Sequence, residues 1–247
     1  MKKVIYTLNI GNYAPDITAY TFPLIRAYAK KIGATFHQIT ERKFPEWPIN
    51  YEKMQIHELS KGNDWNIYID ADAIIYPDLF DITEFLPRDT VLHWGHDPAN
   101  NRWSFDEYFR RDGRNIGSAG WFTVASGWCR DFWAPPEITP AEALAAIHPT
   151  NREVNLGCVP GHFIDEYVTS RNIARYGLKF MDIKDLQAKH NIRGAYFWHT
   201  YAMPIHEKLL LMREAIETFQ LQDYYPNDPY FSTAPRAPVY RPQPQCA

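Results

Sequence analysis

The sequence predicts an α/β fold in which one mixed, mainly parallel sheet is flanked by helices. The chain opens with a strand over residues 4–8, a helix that ends near Ile32 and a second strand over residues 34–39. A strand, a helix and a strand in this order form a right-handed crossover and pair in parallel. A third run, Ile67 to Ile69, is short and rich in β-branched and aromatic residues, which is typical of a buried strand. With 247 residues, 45% of them hydrophobic, the chain has enough apolar material for one large domain or two small ones, and we favour one.

Turn residues set the bounds of the early elements. Gly33 follows the first helix as a C′ residue, and Pro23 is predicted to lie in its first turn or to kink it. After a proline-containing loop, a helix is predicted over residues 51–61, closed by Gly62. Lys53 lies near the start of this helix, where it is either a solvated surface lysine or a group that contacts a phosphate.

The later elements follow from similar signals. Thr139-Pro140-Ala141-Glu142 has capping-box spacing and predicts a helix to about Ile147. The segment over residues 100–114 is dense in aromatic and charged residues, which fits a surface helix or substrate contacts. From Tyr225 onward, prolines predict an extended or disordered tail. The remaining predicted elements are a helical turn over 78–86, strands over 91–94, 116–126, 178–183 and 196–199, and helices over 161–176 and 205–221.

Composition excludes several classes of protein. The net charge is −3 and no long run of Lys or Arg occurs, so duplex nucleic acid and anionic membranes are not expected partners. No apolar stretch approaches the roughly 20 residues that span a bilayer. Three cysteines without paired spacing argue against a disulfide framework and a zinc knuckle. We therefore expect a cytoplasmic protein with a small-molecule partner.

The strongest candidate site is Asp70-Ala71-Asp72, directly after the third predicted strand. In extended backbone, side chains two residues apart leave the same face, so the two carboxylates lie together and repel each other. A divalent cation with open positions for phosphate oxygens would relieve this repulsion, and open α/β sheets bind their ligands at the carboxyl ends of strands. The alternative is that both aspartates are solvated turn residues or partners of nearby Lys and Arg. On the repulsion argument, replacing either aspartate with Ala should leave the fold intact.

Around these aspartates the sequence resembles nucleotide-sugar glycosyltransferases of the GT-A type. The closest likeness is to the retaining families that include bacterial lipopolysaccharide galactosyltransferases, glycogenin and fungal and plant α-glycosyltransferases. It is specific over residues 51–80. The residues that carry it are Tyr51-x-Lys53 and Asp64-Trp65-x-x-Tyr68-x-Asp70-Ala71-Asp72-Ala73.

The resemblance implies a single GT-A (Rossmann-like) domain over residues 1–224, followed by a proline-rich tail over 225–247. It implies that Asp70, Asp72 and a late histidine, His199, bind a metal ion on the nucleotide diphosphate. An imidazole ligand favours Mn²⁺, and Mg²⁺ is the alternative.

The resemblance also implies a donor site around these ligands. In these families the loop after the first strand binds the nucleoside, which here is Thr7 to Tyr13. A basic residue upstream contacts the phosphates, which here is Lys53. The phosphate-binding Gly-x-Lys that these families have after the late histidine is missing, and His206 or Lys208 is the candidate substitute. The family's Asn-x-Gly fits either Asn115-Ile116-Gly117 or Ser118-Ala119-Gly120. Its Asp-Gln near the reacting sugar is replaced by Asp165-Glu166, which gives Asp165 the donor hydroxyls and Glu166 the anomeric carbon. The implied donor-binding residues are Thr7, Asn9, Asn12, Tyr13, Lys53, Asp70, Ala71, Ser118 and either His206 or Lys208.

The predicted activity is metal-dependent transfer of a sugar from a nucleotide-diphosphate donor, with a UDP-sugar favoured, to an unknown acceptor with retention. Two alternatives stay open at this point. One is a metal-dependent phosphohydrolase or nucleotidyltransferase that uses the same aspartates, and the other is a sugar-binding protein without turnover. The sequence leaves the oligomeric state open.

Overall fold

The computed structural model of the protein describes residues 1–94, 118, 120–194, 196–199 and 203–233. The segments predicted over 100–114 and at Asn115-Ile116-Gly117 lie outside these residues, as does Ala119. The strands are β1 (Lys3–Leu8), β2 (Ala34–Ile39), β3 (Trp65–Ile69), β4 (Ala73–Ile75), β5 (Thr90–His93), β6 (Phe122–Ser126), β7 (Lys179–Asp182) and β8 (Phe197–His199).

Helices cover both faces of the sheet formed by most of these strands. The α-helices are α1 (Pro15–Ile32), α2 (Ile56–Leu59), α3 (Pro140–Ala145), α4 (Asn151–Asn155), α5 (Ile164–Tyr176), α6 (Ile183–Lys189), α7 (Ile205–Thr218) and α8 (Pro229–Thr233). Short 3₁₀ helices cover Ile49–Gln55, Ile82–Glu84, Gly127–Trp133, Pro160–Phe163 and Gln222–Tyr224.

The central sheet has six strands in the order β2-β1-β3-β6-β5-β7. β1 pairs in parallel with β2 and β3, and β5 pairs in parallel with β7, whereas β6 is antiparallel to both of its neighbours. The predicted mixed, mainly parallel α/β sheet is confirmed. Because β6 runs in reverse, its amino end lies at the same edge of the sheet as the carboxyl ends of β1 and β3.

Strand β3 is the centre of the fold, and all five of its residues are buried. Its side chains alternate between the two faces: Ile67 and Ile69 belong to one core cluster, and Tyr68 belongs to the other. Packing on both faces fixes the position of the strand, and with it the position of the residues that follow Ile69.

The last predicted strand, β8, lies outside the central sheet. It pairs antiparallel with β4 in a separate two-stranded sheet, in which Ala73 lies opposite His199. Since β4 begins one residue after Asp72, this pairing brings the end of β8 to the Asp70-Asp72 segment.

Local signals were accurate at several helix ends. Gly33 and Gly177 end α1 and α5 in the left-handed conformation, and Thr139 forms the predicted capping box with Glu142. The structure differs at Pro23, which lies in the interior of α1 and not in its first turn. The helix predicted over 51–61 is divided between the 3₁₀ helix Ile49–Gln55 and α2.

The segment after residue 224 is folded at its start. Tyr225 is buried against Tyr20 of α1, and residues 229–233 form α8, although the sequence predicts an extended or disordered chain from residue 225. The Tyr20 hydroxyl donates to Asp228, and the Arg213 guanidinium lies over the Tyr230 ring. Packing of these aromatic side chains therefore keeps the start of the segment folded, despite its prolines.

A membrane-spanning helix would need a long, strongly apolar stretch. Among the residues that the structure describes, no helix has one.

Candidate active site

A tight turn brings the two aspartates together. The backbone N–H of Ala73 donates to the carbonyl of Asp70 at 3.1 Å, so residues 70–73 form a turn and not the extended backbone assumed from the sequence. The Ala71 carbonyl accepts a hydrogen bond from Thr21 Oγ1 of α1, which fixes the turn against this helix. The proximity of the two side chains is as predicted, but its cause is the turn.

The imidazole of His199 joins the aspartates from β8. Its Nε2 lies 3.4 Å from Oδ1 of Asp72 and 3.8 Å from Oδ2 of Asp70. Histidine, cysteine, aspartate and glutamate side chains are the usual metal ligands. In the described residues, Asp70, Asp72 and His199 are the one group of at least three of them that could hold a metal ion, and their potential ligand atoms lie within 4.8 Å of one another.

These three side chains fit a divalent metal ion. Two ligands about 2.1 Å from one ion lie about 3.0 Å apart at right angles and about 4.2 Å apart when opposite, and both His199 distances fall in this range. Two carboxylate oxygens and one imidazole nitrogen suit manganese and related ions and leave positions for phosphate oxygens. The three side chains therefore suit a divalent transition-metal ion.

Each aspartate also holds a lysine with its other oxygen. Lys53 Nζ lies 2.9 Å from Oδ1 of Asp70, and Lys208 Nζ contacts Oδ2 of Asp72. Both lysines are buried, so the interpretation of Lys53 as a solvated surface residue is wrong. The oxygens that remain, Oδ2 of Asp70 and Oδ1 of Asp72, are those that face His199.

The charges packed around Asp72 and Lys53 set the pKa values of these two side chains. Burial raises the pKa of the Asp72 carboxyl, but the hydrogen bond from His199 and the charges of His199 and Lys208 outweigh burial and hold that pKa below its usual range. Burial likewise lowers the pKa of Lys53, but Asp165 and Asp70 together raise it above its usual value. The site therefore contains fixed charges of both signs.

Lys53 connects the aspartate pair to Asp165 at the start of α5. Its Nζ lies 2.6 Å from Oδ2 of Asp165 and donates to the Gly120 carbonyl at 3.0 Å, while Asn50 Nδ2 donates to Oδ1 of Asp165 at 2.8 Å. Asp165 is 3% exposed and accepts on both oxygens. Its carboxylate is thus held rigidly beside the aspartate pair.

Gly120 makes this arrangement possible. Its φ is +68°, and a Cβ placed on it would lie 2.7 Å from Oδ2 of Asp165 and 3.2 Å from Cγ of Glu166. Both carboxylate residues therefore pack directly against the backbone at the amino end of β6. Glu166 is half-buried at this position.

The loop after β1 lies at the same edge of the sheet. Thr7, which the sequence assigned to this loop, is a fully buried residue of β1, whereas Asn9 follows the strand; within the described residues neither Oγ1 of Thr7 nor Oδ1 of Asn9 has a hydrogen-bond partner. Asn12 has a positive φ. Partial burial, together with the charges of Asp72 and Asp70, raises the pKa of the Tyr13 hydroxyl. The end of β1 and the loop after it thus carry two unpaired side-chain oxygens, and Tyr13 of the loop lies close enough to the aspartates to feel their charges.

The other predicted donor-binding residues lie in different surroundings. Ser118 is buried, and its N–H donates to Ser170 of α5 at 2.8 Å. The side chain of His206 is 78% exposed and lies 3.8 Å from Glu207, whereas Lys208, one turn into the same helix, contacts Asp72. Of these two phosphate-binding candidates, Lys208 is the one that contacts the aspartate pair within the part of the chain that the structure describes.

Comparison with known proteins gives likenesses in structure. A glycosyltransferase involved in the glycosylation of the major capsid of PBCV-1 superposes with a TM-score of 0.50 at 14% identity, over 87% of this chain and 100% of that chain. A mutant of Drosophila β1,4-galactosyltransferase 7, in complex with manganese, UDP-Gal and xylobiose, gives a TM-score of 0.41 at 12% identity, over 81% and 71% of the two chains. No family-level sequence model matches, and comparison with curated proteins gives no match. The first likeness confirms the predicted GT-A-type fold.

Sequence reasoning missed two residues that shape the site. Asn50 fixes Asp165, and Trp121 stacks on the imidazole of His199 with its ring centroid 4.8 Å away. Neither belongs to a recognisable motif. The one available signal was Gly120-Trp121, a glycine followed by a bulky aromatic residue at the start of a strand.

Proposed function

We propose that the protein is a metal-dependent glycosyltransferase that moves a sugar from a nucleotide-diphosphate donor to an acceptor. One observation carries this proposal: Oδ2 of Asp70, Oδ1 of Asp72 and Nε2 of His199 converge at the carboxyl edge of a GT-A-type sheet. The mixed oxygen and nitrogen set supports Mn²⁺ as the preferred ion over Mg²⁺. When bound, the ion would neutralise charge on the diphosphate as it leaves.

The buried lysines support a diphosphate at this position. Lys208 contacts Asp72 from the first turns of α7, and its ammonium group is a suitable donor to a phosphate oxygen placed next to the aspartates. Lys53 instead balances the negative charges of Asp70 and Asp165, since its Nζ already contacts both carboxylates. We assign phosphate binding to Lys208 and charge balance to Lys53.

The end of β1 and the loop that follows it support a nucleoside next to the diphosphate. The unpaired oxygens of Thr7 and Asn9 leave hydrogen-bonding capacity that a base is suited to fill. Uracil presents both an N–H and carbonyl oxygens, which match a hydroxyl and an amide oxygen. Tyr13 offers an aromatic ring close to the aspartates. We therefore propose a UDP-sugar as the donor.

The start of α5 supports the position of the sugar. Asp165 is fixed by Lys53 and Asn50, and Glu166 lies next to it against Gly120. We propose that Asp165 orients the donor hydroxyls and that Glu166 faces the anomeric carbon, where a carboxylate stabilises positive charge as the glycosidic bond breaks. The position of Glu166, beside Asp165 and against Gly120, is the basis for proposing transfer with retention.

Calorimetry of UDP binding tests the donor site. UDP should bind to the wild-type protein in the presence of Mn²⁺ and bind at least about tenfold more weakly in its absence. Asp70→Asn should lose this dependence on Mn²⁺. Equal UDP affinity with and without Mn²⁺ in the wild-type protein would exclude the proposed metal-dependent donor site.

A further inference from the structure

The imidazole of His199 lies flat against the indole of Trp121. The ring centroids are 4.8 Å apart and the two planes differ by 8°, so the rings are stacked. In this orientation the Nε2 edge of the imidazole is directed towards Asp70 and Asp72.

Trp121 also holds the other ligand-bearing segment. Its carbonyl accepts a hydrogen bond from the backbone N–H of Asp70 at 2.8 Å. This contact exists because β6 runs antiparallel to β3, which places the residue before β6 opposite the residue after β3. One residue therefore contacts both Asp70, through its backbone, and His199, through its ring.

The indole is itself fixed by its neighbours. It is 7% exposed, and the rings of Trp94 and Phe197 lie against it with centroids 5.9 Å away at 66° and 75°. A side chain packed in this way does not reorient when its partner changes charge. Trp121 thus presents a rigid face to His199.

We infer that Trp121 is a positioning residue that orients His199 for metal binding and strengthens that binding, an inference that rests on the proposed function. A ligating histidine needs its ring held in one orientation, which outer contacts commonly supply. Here the indole restricts rotation of the imidazole before the ion arrives, which lowers the entropy lost on binding. Coordination also draws electrons from the imidazole, and the electron-rich indole face favours the ring in that state.

Direct measurement of Mn²⁺ affinity tests the inference without any catalytic assay. Free Mn²⁺ is followed by electron paramagnetic resonance during titration of the full chain without nucleotide. Trp121→Leu should weaken binding about 10- to 100-fold, as loss of an outer-shell partner does, and Trp121→Phe should recover most of it. Trp133→Leu is the matched control, because Trp133 is 1% exposed in the other core cluster and its loss should leave Mn²⁺ affinity unchanged.

Tryptophan fluorescence provides a second measurement on folded protein. Paramagnetic Mn²⁺ close to His199 should quench Trp121, so part of the wild-type emission should fall on titration. The quenched fraction should be smaller in Trp121→Phe, in which Trp94 and Trp198 remain near the site, and unchanged in Trp128→Phe, whose side chain is replaced at a position 73% exposed.

Two results would overturn the inference and can be told apart. If the wild-type chain binds no Mn²⁺, the proposed function fails and this inference fails with it. If the wild-type chain binds Mn²⁺ but Trp121→Leu binds it as tightly as the wild type, or if quenching is unchanged in Trp121→Phe, the metal site is retained and the role of Trp121 is wrong.

Discussion

Nε2 of His199 lies 3.4 Å from Oδ1 of Asp72, so the last strand, β8, contacts the turn that follows β3. Two features produce this contact: the pairing of β8 with β4, and the occupation of the other Asp72 oxygen by Lys208. Asp72 therefore has one oxygen committed to a lysine and one directed at the histidine.

The first prediction concerns the buried pair of Asp72 and Lys208. Asp72→Ala should reduce the free energy of unfolding by about 3–5 kcal/mol, because it leaves a buried ammonium group without its carboxylate. This reverses the expectation from sequence that relief of repulsion would keep the fold intact. Chemical denaturation measures the change.

A double variant separates this effect from a general packing defect. Lys208→Met combined with Asp72→Ala should recover much of the lost stability, because no unpaired charge remains. Additive losses in the double variant would show that the two side chains do not depend on each other.

The second prediction concerns the histidine ligand. His199→Gln should weaken Mn²⁺ binding by at least about tenfold, because an imidazole ligand is lost. His206→Gln is the matched control: its side chain is 78% exposed and should be replaceable without effect on affinity. Unchanged Mn²⁺ affinity in His199→Gln, measured by calorimetry, would remove His199 from the site.

The third prediction concerns the approach of Asp165 to the backbone. Gly120→Ala should destabilise the fold by more than Gly62→Ala, although both glycines have a positive φ, of +68° and +77°. At Gly62 a Cβ meets nothing within 4 Å, so the cost is that of the left-handed backbone, about 1 kcal/mol. At Gly120 the Cβ also displaces Asp165, and with it Lys53.

Thermal unfolding of the two glycine variants, together with turnover, tests this reasoning. Gly62→Ala should retain full turnover, and Gly120→Ala should lose it. If the two variants are equally stable and equally active, the packing of Asp165 against Gly120 has no functional consequence.

The fourth prediction concerns Glu166. Glu166→Gln should lower turnover by about 100-fold and leave donor affinity nearly unchanged, because it removes a charge that acts mainly in the transition state. Glu207→Gln, at a half-exposed position on α7, is the control and should behave as wild type. Near-normal turnover in Glu166→Gln would give the role at the anomeric carbon to another group.

Local sequence patterns predicted much of the fold. Short apolar runs predicted the strands of the described residues except β4, and Gly33, Gly177 and the Thr139 capping box predicted helix ends, because these signals act over a few residues. The direction of β6 and the pairing of β8 with β4 depend on contacts between distant segments, which no local pattern contains.

The same distinction applies to the site. The Asp70-Ala71-Asp72 motif is local, and its position after a buried strand was sufficient to predict that the two carboxylates lie close together. The burial of Lys53 was not predictable, since it depends on Asp165, which lies far along the chain. The stacking of Trp121 on His199 likewise needs the reversed strand β6 and the pairing of β8 with β4.

The most direct test of the account is an assay of the wild-type chain with a panel of nucleotide sugars, scored for released nucleoside diphosphate with Mn²⁺ and with a chelator. A metal-dependent glycosyltransferase should release the nucleoside diphosphate from one donor, with transfer or slow hydrolysis of the sugar, and should stop when the metal is removed. Asp72→Asn should release none, and His206→Gln should match the wild type. Release of phosphate or pyrophosphate instead, or release that is unaffected by the chelator, would contradict the account.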